Sequence, residues 1–267
     1  MTLKDEHKMI AARFSAAAAT YHASATVQCS VAERLGAMLA REQDAERILE
    51  IGCGTGLLTA QLCRIFPRSR IDALDMSAGM VLQCRARLAG SAGVSWHVAD
   101  LKKFRTGALY PLIASSSTLH WMEPMDEVMQ KLSGLLAAQG RLVFAIMVRG
   151  TLGELADARR RIAPHKLPGR RLPTMPAVQT ALAQASLQVE EEHEETLRQA
   201  YASAGDMLRR LHEQGLTGGA LSSSNPPLNR TDLRRLVQDY EAHYPADDGV
   251  YASYRVAYFR ARKTPGI

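Results

Sequence analysis

The ten residues from Arg47 to Gly56, RILEIGCGTG, restrict what this chain can fold into more than any other stretch. Ile48, Leu49 and Ile51 form an apolar run too short for a helix and suited to a strand covered on both faces. It runs directly into glycines at 52, 54 and 56. A backbone bare of side chains at those positions can turn sharply and let a ligand press against its amides, and the next segment, LLTAQLCRIF, opens a helix with a partly positive N-terminus. Such a strand, turn and helix suits a nucleotide-like ligand. The dinucleotide fingerprint G-x-G-x-x-G would place its third glycine where this chain has Leu57, and the phosphate loop G-x-x-x-x-G-K-[ST] is absent. The spacing is G-x-G-x-G, preceded by Glu50.

Strand and helix patterns alternate after this loop. RIDALD (70–75) predicts a second strand ending in Asp75, with Ser77 placed to cap the helix AGMVLQCRARLAG. Asp75 stands nineteen residues beyond Gly56, at a strand end where a carboxylate can accept both hydroxyl protons of a ribose. VSWHVA (94–99) predicts a third strand closed by Asp100 and Leu101, which can offer an acceptor for an exocyclic amine and an apolar edge. PLIASSS (111–117) runs into TLHWMEP, and a helix over DEVMQKLSGLLAAQG leads to a fifth strand, RLVFAIMV (141–148). Strands joined by crossover helices imply a right-handed, parallel, doubly wound sheet, whose ligands bind beyond the carboxyl ends of the strands. Ser115 to Ser117, His120 and Trp121 fall at such an end, and read either as a polar turn with a packed tryptophan or as a wall between cofactor and substrate. A single histidine with no visible partner is a poor general base.

The flanks of this core are helical. DEHKMIAARFSAAAATYH and VQCSVAERLGAMLA carry apolar residues at helical spacing, and Phe14 and Tyr21 share one face of the first, so Tyr21 is either a core contact or a pocket residue. Beyond Gly150 a proline-interrupted helical stretch, through about residue 186, reads as an insertion over the pocket mouth. LQVEEEHEETLRQAY (187–201) predicts a sixth strand, helices follow at AGDMLRRLHEQG and RTDLRRLVQDYEAHY, and VYASYRVAYFRARK (250–263) alternates as a final strand, the last two pairing antiparallel at the sheet edge. The expected organisation is one domain: N-terminal helices over 1–45, a cofactor-binding core over 46–150, a helical cap with the sixth strand over 151–249, and the final strand and tail over 250–267.

Composition narrows the class. A chain of 267 residues with 46% hydrophobic content can bury a sizeable core, and nothing approaches eighteen consecutive apolar residues, so no membrane partner is expected. The alanines at 16–19 are too few for a signal sequence. Cys29, Cys53, Cys63 and Cys84 show neither zinc-ligand spacing nor a secreted framework, which predicts packing thiols, no metal site and a reducing, cytoplasmic setting. Net charge is +6, with clusters at 159–161, 170–171, 209–210 and 234–235 that are either solvated helix faces or steering surfaces for an acidic partner. An aromatic content of 6% without an interleaved basic platform argues against nucleic acid.

The glycine spacing after Glu50 resembles motif I of the Rossmann-like S-adenosylmethionine (SAM) methyltransferases, whose glycine loop faces the amino-acid end of the cofactor. Along nearly its whole length the chain is similar to the biotin-pathway malonyl-[acyl-carrier protein] O-methyltransferases. The resemblance is carried by FSAAAATYHASATVQ, RILEIGCGTG, ALDMSAGM, SSSTLHWM, VRGTLGEL and ASAGDMLRRLHEQGLTGG, the last two of which general methyltransferases lack. That family often has Gln where this chain has His120. The resemblance implies a seven-stranded methyltransferase sheet and methyl transfer from SAM to the free carboxylate of a malonyl thioester. It implies a cofactor site of Glu50, Gly52, Cys53, Gly54, Gly56, Asp75, Met76, Asp100, Leu101 and Ser115.

A carboxylate with pKa near 4 is already ionised at neutral pH, so no general base is expected, in keeping with a sequence that shows no triad. An arginine suits a small carboxylate, and Arg149, Arg209 and Arg210 are the candidates, with Tyr21 as a hydrogen-bond donor and His120 and Trp121 beside them. Arg159, Arg160 and Lys166 are expected to meet an acidic carrier protein, and the chain is expected to be a monomer. Two rival readings stand: methylation of another small acid such as trans-aconitate, and SAM binding without turnover in a regulatory protein.

Overall fold

The computed structural model of the chain describes residues 3–42, 45–168, 171–216 and 227–264. Arg170 and Thr217, Gly218 and Gly219 of the segment quoted above lie outside them. Two compact units emerge: Gln28–Val148, Pro173–Glu194 and Val256–Ile267 make one, and Met1–Val27, Arg149–Leu172 and Glu195–Arg255 make the other. They are called here the sheet unit and the helical unit.

The N-terminal helices are α1 (Leu3–Ser24) and α2 (Thr26–Leu39). Strand β1 (Arg47–Ile51) leads through the glycine loop to α3 (Leu57–Ile65), and then follow β2 (Arg70–Asp75), α4 (Ala78–Arg87), β3 (Val94–Val98) and β4 (Tyr110–Ser116). A short 3-10 turn (Leu119–Trp121) precedes α5 (Met125–Leu135) and β5 (Leu136–Met147). The strands β1 to β5 pair in parallel in the spatial order 3-2-1-4-5, as the crossover pattern requires. Ile48, Leu49 and Ile51 are fully buried, which is why the run reads as continuous rather than alternating apolar sequence. Ser77 caps α4 as expected, its hydroxyl accepting from Met80 N at 3.2 Å.

The remaining elements are α6 (Gly153–Ile162), α7 (Met175–Gln184), β6 (Leu187–Tyr201), α8 (Ala204–Glu213), α9 (Arg230–His243), the two-residue β7 (Pro245–Ala246) and β8 (Gly249–Lys263). β8 lies antiparallel to β5, and β6 takes the place beyond it; with β7 paired to β8 the sheet counts eight strands. Stacked rings of Phe144 and Phe259, 5.0 Å apart, join β5 to β8.

Two expectations change. The helix before β5 ends at Leu135 instead of continuing to Gly140, because Leu136 pairs with Tyr110 and a side chain at Gly140 would press on the Ala137 and Tyr110 backbone. And α7, expected in the insertion, belongs to the sheet unit: Val178, Ala181 and Leu182, one helical face, join the buried cluster that contains Leu132, Leu135 and Phe144.

The helical unit is held by specific polar contacts. Arg161 of α6 grips Asp239 of α9 with Nε and Nη2, the closest approach being 2.6 Å. Lys166 pairs with Asp232 at 2.7 Å, and Gln214 Nε2 donates to Ser24 O at 2.6 Å. The segment VRGTLGEL is a stitch: Leu152 N donates to Ser253 O at 2.7 Å, Ser253 N donates to Glu154 Oε2 at 3.1 Å, and Thr151 and Arg255 exchange bonds of 3.0 Å. Gly150, at φ +105°, leaves no room for a side chain beside Arg255. No described helix is long and apolar enough to cross a membrane.

Candidate functional site

The glycine loop is built from its neighbours. Gly52 N and Cys53 N both donate to Leu74 O, at 2.7 and 3.0 Å, which pins the turn to the end of β2. Gly52, Gly54 and Gly56 have φ of +74°, +52° and +94°. Their surroundings differ. A side chain at Gly52 would run into Thr118, and one at Gly56 would reach Cys84 Sγ at 2.9 Å, whereas nothing lies within 4 Å of the position a Cβ on Gly54 would take. Gly52 and Gly56 are therefore bare for packing, and Gly54 is bare toward open space, where a ligand can approach the backbone.

Asp75, at the carboxyl end of β2, is tied to this turn. Gly54 N donates to its Oδ2 at 2.9 Å and Ser77 N to its Oδ1 at 2.8 Å. Burial pushes its carboxyl above the ordinary value, while the backbone N–H groups of Ser77, Gly54 and Met76 pull the other way. A carboxylate has about four acceptor sites, so the bonds from Gly54 and Ser77, with the Met76 N–H beside them, still leave capacity for a hydroxyl donor.

Glu50 is the unusual group. It is 1% exposed, and neither carboxyl oxygen has a hydrogen-bond partner among the described residues. Burial pushes its pKa up to about 8, with Cys84 and Asp75 adding in the same direction and the Thr59 hydroxyl opposing. A buried carboxyl with nothing to bond is costly unless a ligand supplies a cation or donors. The orphaned Glu50 and the open side of Gly54 together fit a ligand that carries an ammonium group.

Other expected cofactor residues stand as follows. Cys53 is buried, and the neighbouring Cys84 thiol together with desolvation holds its own thiol well above the usual range. Met76 is half-buried between Asp75 and Ser77, and Asp100 Oδ1 accepts from Lys102 N at 2.9 Å in the turn after β3. Two need correction. Ser115 is fully buried and donates to Ile51 O at 2.9 Å, so its hydroxyl joins β4 to β1. Leu101, 2% exposed, belongs to the buried apolar cluster, so its side chain is core and not an exposed edge.

The turn after β4 contributes more than expected. Thr118 packs against Gly52 and donates to Ser116 O at 2.9 Å, and Ser117, at φ +52°, has a buried Oγ with no partner among the described residues. The run of four hydroxyl residues, 115–118, was the available signal. His120 is buried in the short 3-10 turn with its ring 5.3 Å from that of Trp121, which is half-buried.

The residues expected at the substrate carboxylate lie in the helical unit. Tyr21 meets Phe14 edge to face at 6.3 Å, so it does make an aromatic contact on its helix. Arg149 is exposed just beyond β5. Arg209 is paired along its own helix with Asp206 and, at 3.0 Å, with Glu213; Arg210 lies 3.0 Å from Asp206. Of the residues expected to face a carrier protein, Arg159 and Lys166 are instead internal: Arg159, 6% exposed, donates to Lys166 O at 2.8 Å, and Lys166 serves Asp232, while Arg160 pairs with Asp157. Of the three, only Lys166, in the segment after α6, reaches α9; Arg159 bonds the backbone of that segment and Arg160 pairs within α6.

Comparison with known proteins shows the family and the fold. A family model described as a methyltransferase domain matches residues 49–142. The chain is 32% identical over 251 residues to the malonyl-[acyl-carrier protein] O-methyltransferase of Hahella chejuensis, covering 92% of this chain and 87% of that protein. It is 30% identical over 254 residues to the protein of the same name from Geobacter sulfurreducens, covering 92% and 94%. Among solved structures, a putative methyltransferase from Bacillus halodurans shares the fold at TM-score 0.63 and 13% identity, covering 88% of this chain and 100% of that one. The N-methyltransferase NodS from Bradyrhizobium japonicum, solved with S-adenosyl-L-homocysteine, matches at TM-score 0.52 and 17% identity over 89% and 86%.

Proposed function

This chain belongs to the malonyl-[acyl-carrier protein] O-methyltransferases, and from that premise we propose that it moves the methyl group of SAM onto the free carboxylate of a malonyl thioester carried by an acyl carrier protein, an early step of biotin synthesis. The observation that carries the reading is the junction of the glycine loop with Asp75 beside the orphaned Glu50 carboxyl. When bound, SAM supplies an electrophilic methyl on a sulfonium, together with the ammonium and ribose that these groups suit.

The work left to the protein is positioning. Glu50 holds the cofactor ammonium, Asp75 the ribose hydroxyls and Asp100 the adenine amine, with the Gly54 backbone presented to the same ligand. The malonyl carboxylate is ionised at neutral pH, so no side chain has to remove a proton. The chain must align that oxygen with the methyl carbon and exclude water, which is a matter of orientation rather than of acid and base. Arg149 is our first candidate for the anion, because Arg209 and Arg210 already serve Asp206; Tyr21, His120 and Trp121 are each further candidates for a substrate contact.

A soluble cytoplasmic monomer acting on an acidic carrier protein completes the proposal. The test is mass spectrometry of malonyl carrier protein after incubation with protein and SAM. A gain of one methyl on the malonyl group supports it; methylation of trans-aconitate but not of the malonyl thioester replaces it with the small-acid reading. Cofactor binding with no methyl transfer to either replaces it with a regulatory one.

A further inference from the structure

We propose that the outward face of the first two turns of α9, Arg230, Leu233, Arg234 and Arg235, is the surface on which an acidic helix of the carrier protein docks; this rests on the reading above. The inner side of α9 is settled. Leu236 and Tyr240 are 2% and 0% exposed, and all three acids of the helix are in use: Asp232 by Lys166, Asp239 by Arg161, and Glu241 by Ala204 N at 3.3 Å.

What points outward is one-signed. Arg230, Arg234 and Arg235 are exposed, and none forms an ion pair among the described residues. This sets them apart from Arg160, Arg161, Lys166, Arg209 and Arg210 of the same unit, each of which has a carboxylate partner. Arg230 and Arg234 are one turn apart and share a side, and Leu233, 42% exposed, stands next to them.

Arg230, the first residue of the helix, is unfavourable in isolation, because the helix dipole is already positive there, and it repels Arg234 one turn on. The capping box of Asn229 and Asp232 offsets part of that cost, with Asp232 N donating to Asn229 Oδ1 at 2.9 Å and Asn229 N donating to Asp232 Oδ2 at 3.0 Å. The arginine side chains themselves have no carboxylate partner among the described residues, and a local rule broken with only part of its cost offset marks a functional surface. Charge complementarity selects the occupant: carboxylates spaced one turn apart on an acidic helix match the Arg230–Arg234 spacing, and an apolar residue between them meets Leu233.

The test is charge reversal in the full chain, Arg230→Glu with Arg234→Glu and, separately, Arg235→Glu. Acids are favourable at a helix start, so the variants keep the fold, checked by an unchanged Tm. The expected result is a loss of roughly tenfold or more in kcat/KM with malonyl carrier protein at low salt, carried by KM. Turnover of malonyl-N-acetylcysteamine, which has the thioester and no protein, stays unchanged. Equal rates of wild type and variants on the carrier substrate overturn the proposal, as does an equal loss on both substrates.

If wild type methylates neither thioester, the reading of the activity fails separately. Docking is then decided by anisotropy of labelled holo-carrier protein: weaker binding by the variants supports the surface, and equal or absent binding overturns it. Binding of phosphatidylglycerol vesicles that the variants lose while carrier binding persists would assign the face to membrane and overturn it too.

Discussion

Replacing Glu50 by Gln removes a titrating group from the sheet unit while keeping its shape, and the consequence can be worked out. Glu50 lies about 3.5 pH units above its ordinary 4.5, at about 8, chiefly because it is buried. At 1.36 kcal/mol per unit that corresponds to about 5 kcal/mol, an upper figure because the surroundings relax around a buried charge. The sign follows from the folded pKa exceeding the unfolded one. The folded protein binds the proton more tightly, so this stability is fully present below pH ~4.5 and is lost as pH rises through ~8.

Without cofactor, the wild type should therefore lose stability relative to Glu50→Gln between pH 5 and 9, by up to about 1.4 kcal/mol per pH unit on the steep part. With its ammonium held at Glu50 as proposed, SAM should reverse the preference, because an ammonium favours the carboxylate. Its affinity for the wild type should rise with pH toward 8, with proton release on binding, and should be weak and nearly pH-independent in Glu50→Gln. Urea unfolding by circular dichroism at several pH values, and calorimetry of S-adenosyl-L-homocysteine in buffers of different ionisation enthalpy, measure both. A stability gap between the two proteins that does not change with pH, or binding without proton release, would refute the assignment.

Further outcomes follow from the same geometry. Gly54→Ala should weaken cofactor binding and lower the Tm only by the backbone strain of its positive φ, whereas Gly52→Ala should lower the Tm by more, through that strain and its clash with Thr118; thermal melts with and without ligand measure both. Ser115→Ala removes the donor to Ile51 O, and denaturant titration should show a loss of about 1 kcal/mol with SAM affinity unchanged. Lys166→Met leaves Asp232 of α9 without its partner and should lower the midpoint of the same titration; it should not change the salt dependence of carrier-protein turnover. Arg149→Ala should raise KM for the malonyl thioester at least tenfold with SAM affinity intact, while Arg209→Ala, already neutralised on its own helix, should not.

Short-range patterns carried most of the fold. The continuous apolar run of β1, the glycine spacing, Asp75 at a strand end and the Ser77 cap are each decided within a few residues of chain, and all stand where local chemistry puts them. The site was less legible because a polar side chain's partner is set by what the fold brings opposite it. Ser115 looked like a ligand contact and is a rung between strands; Leu101 looked like an edge and is core; Arg159 and Lys166 looked like a docking surface and are internal ties.

The order of elements, the parallel sheet and the ligand-binding end of its strands were already determined by the amino-acid sequence, because hydrophobic period, glycine placement and caps act locally. Tertiary structure alone decided that α7 joins the sheet unit, that Glu50 is left buried with both oxygens unmet, and which arginines keep a charge to offer. Burial and charge pairing are properties of residues far apart in the chain, and they exist only once the chain has closed on itself.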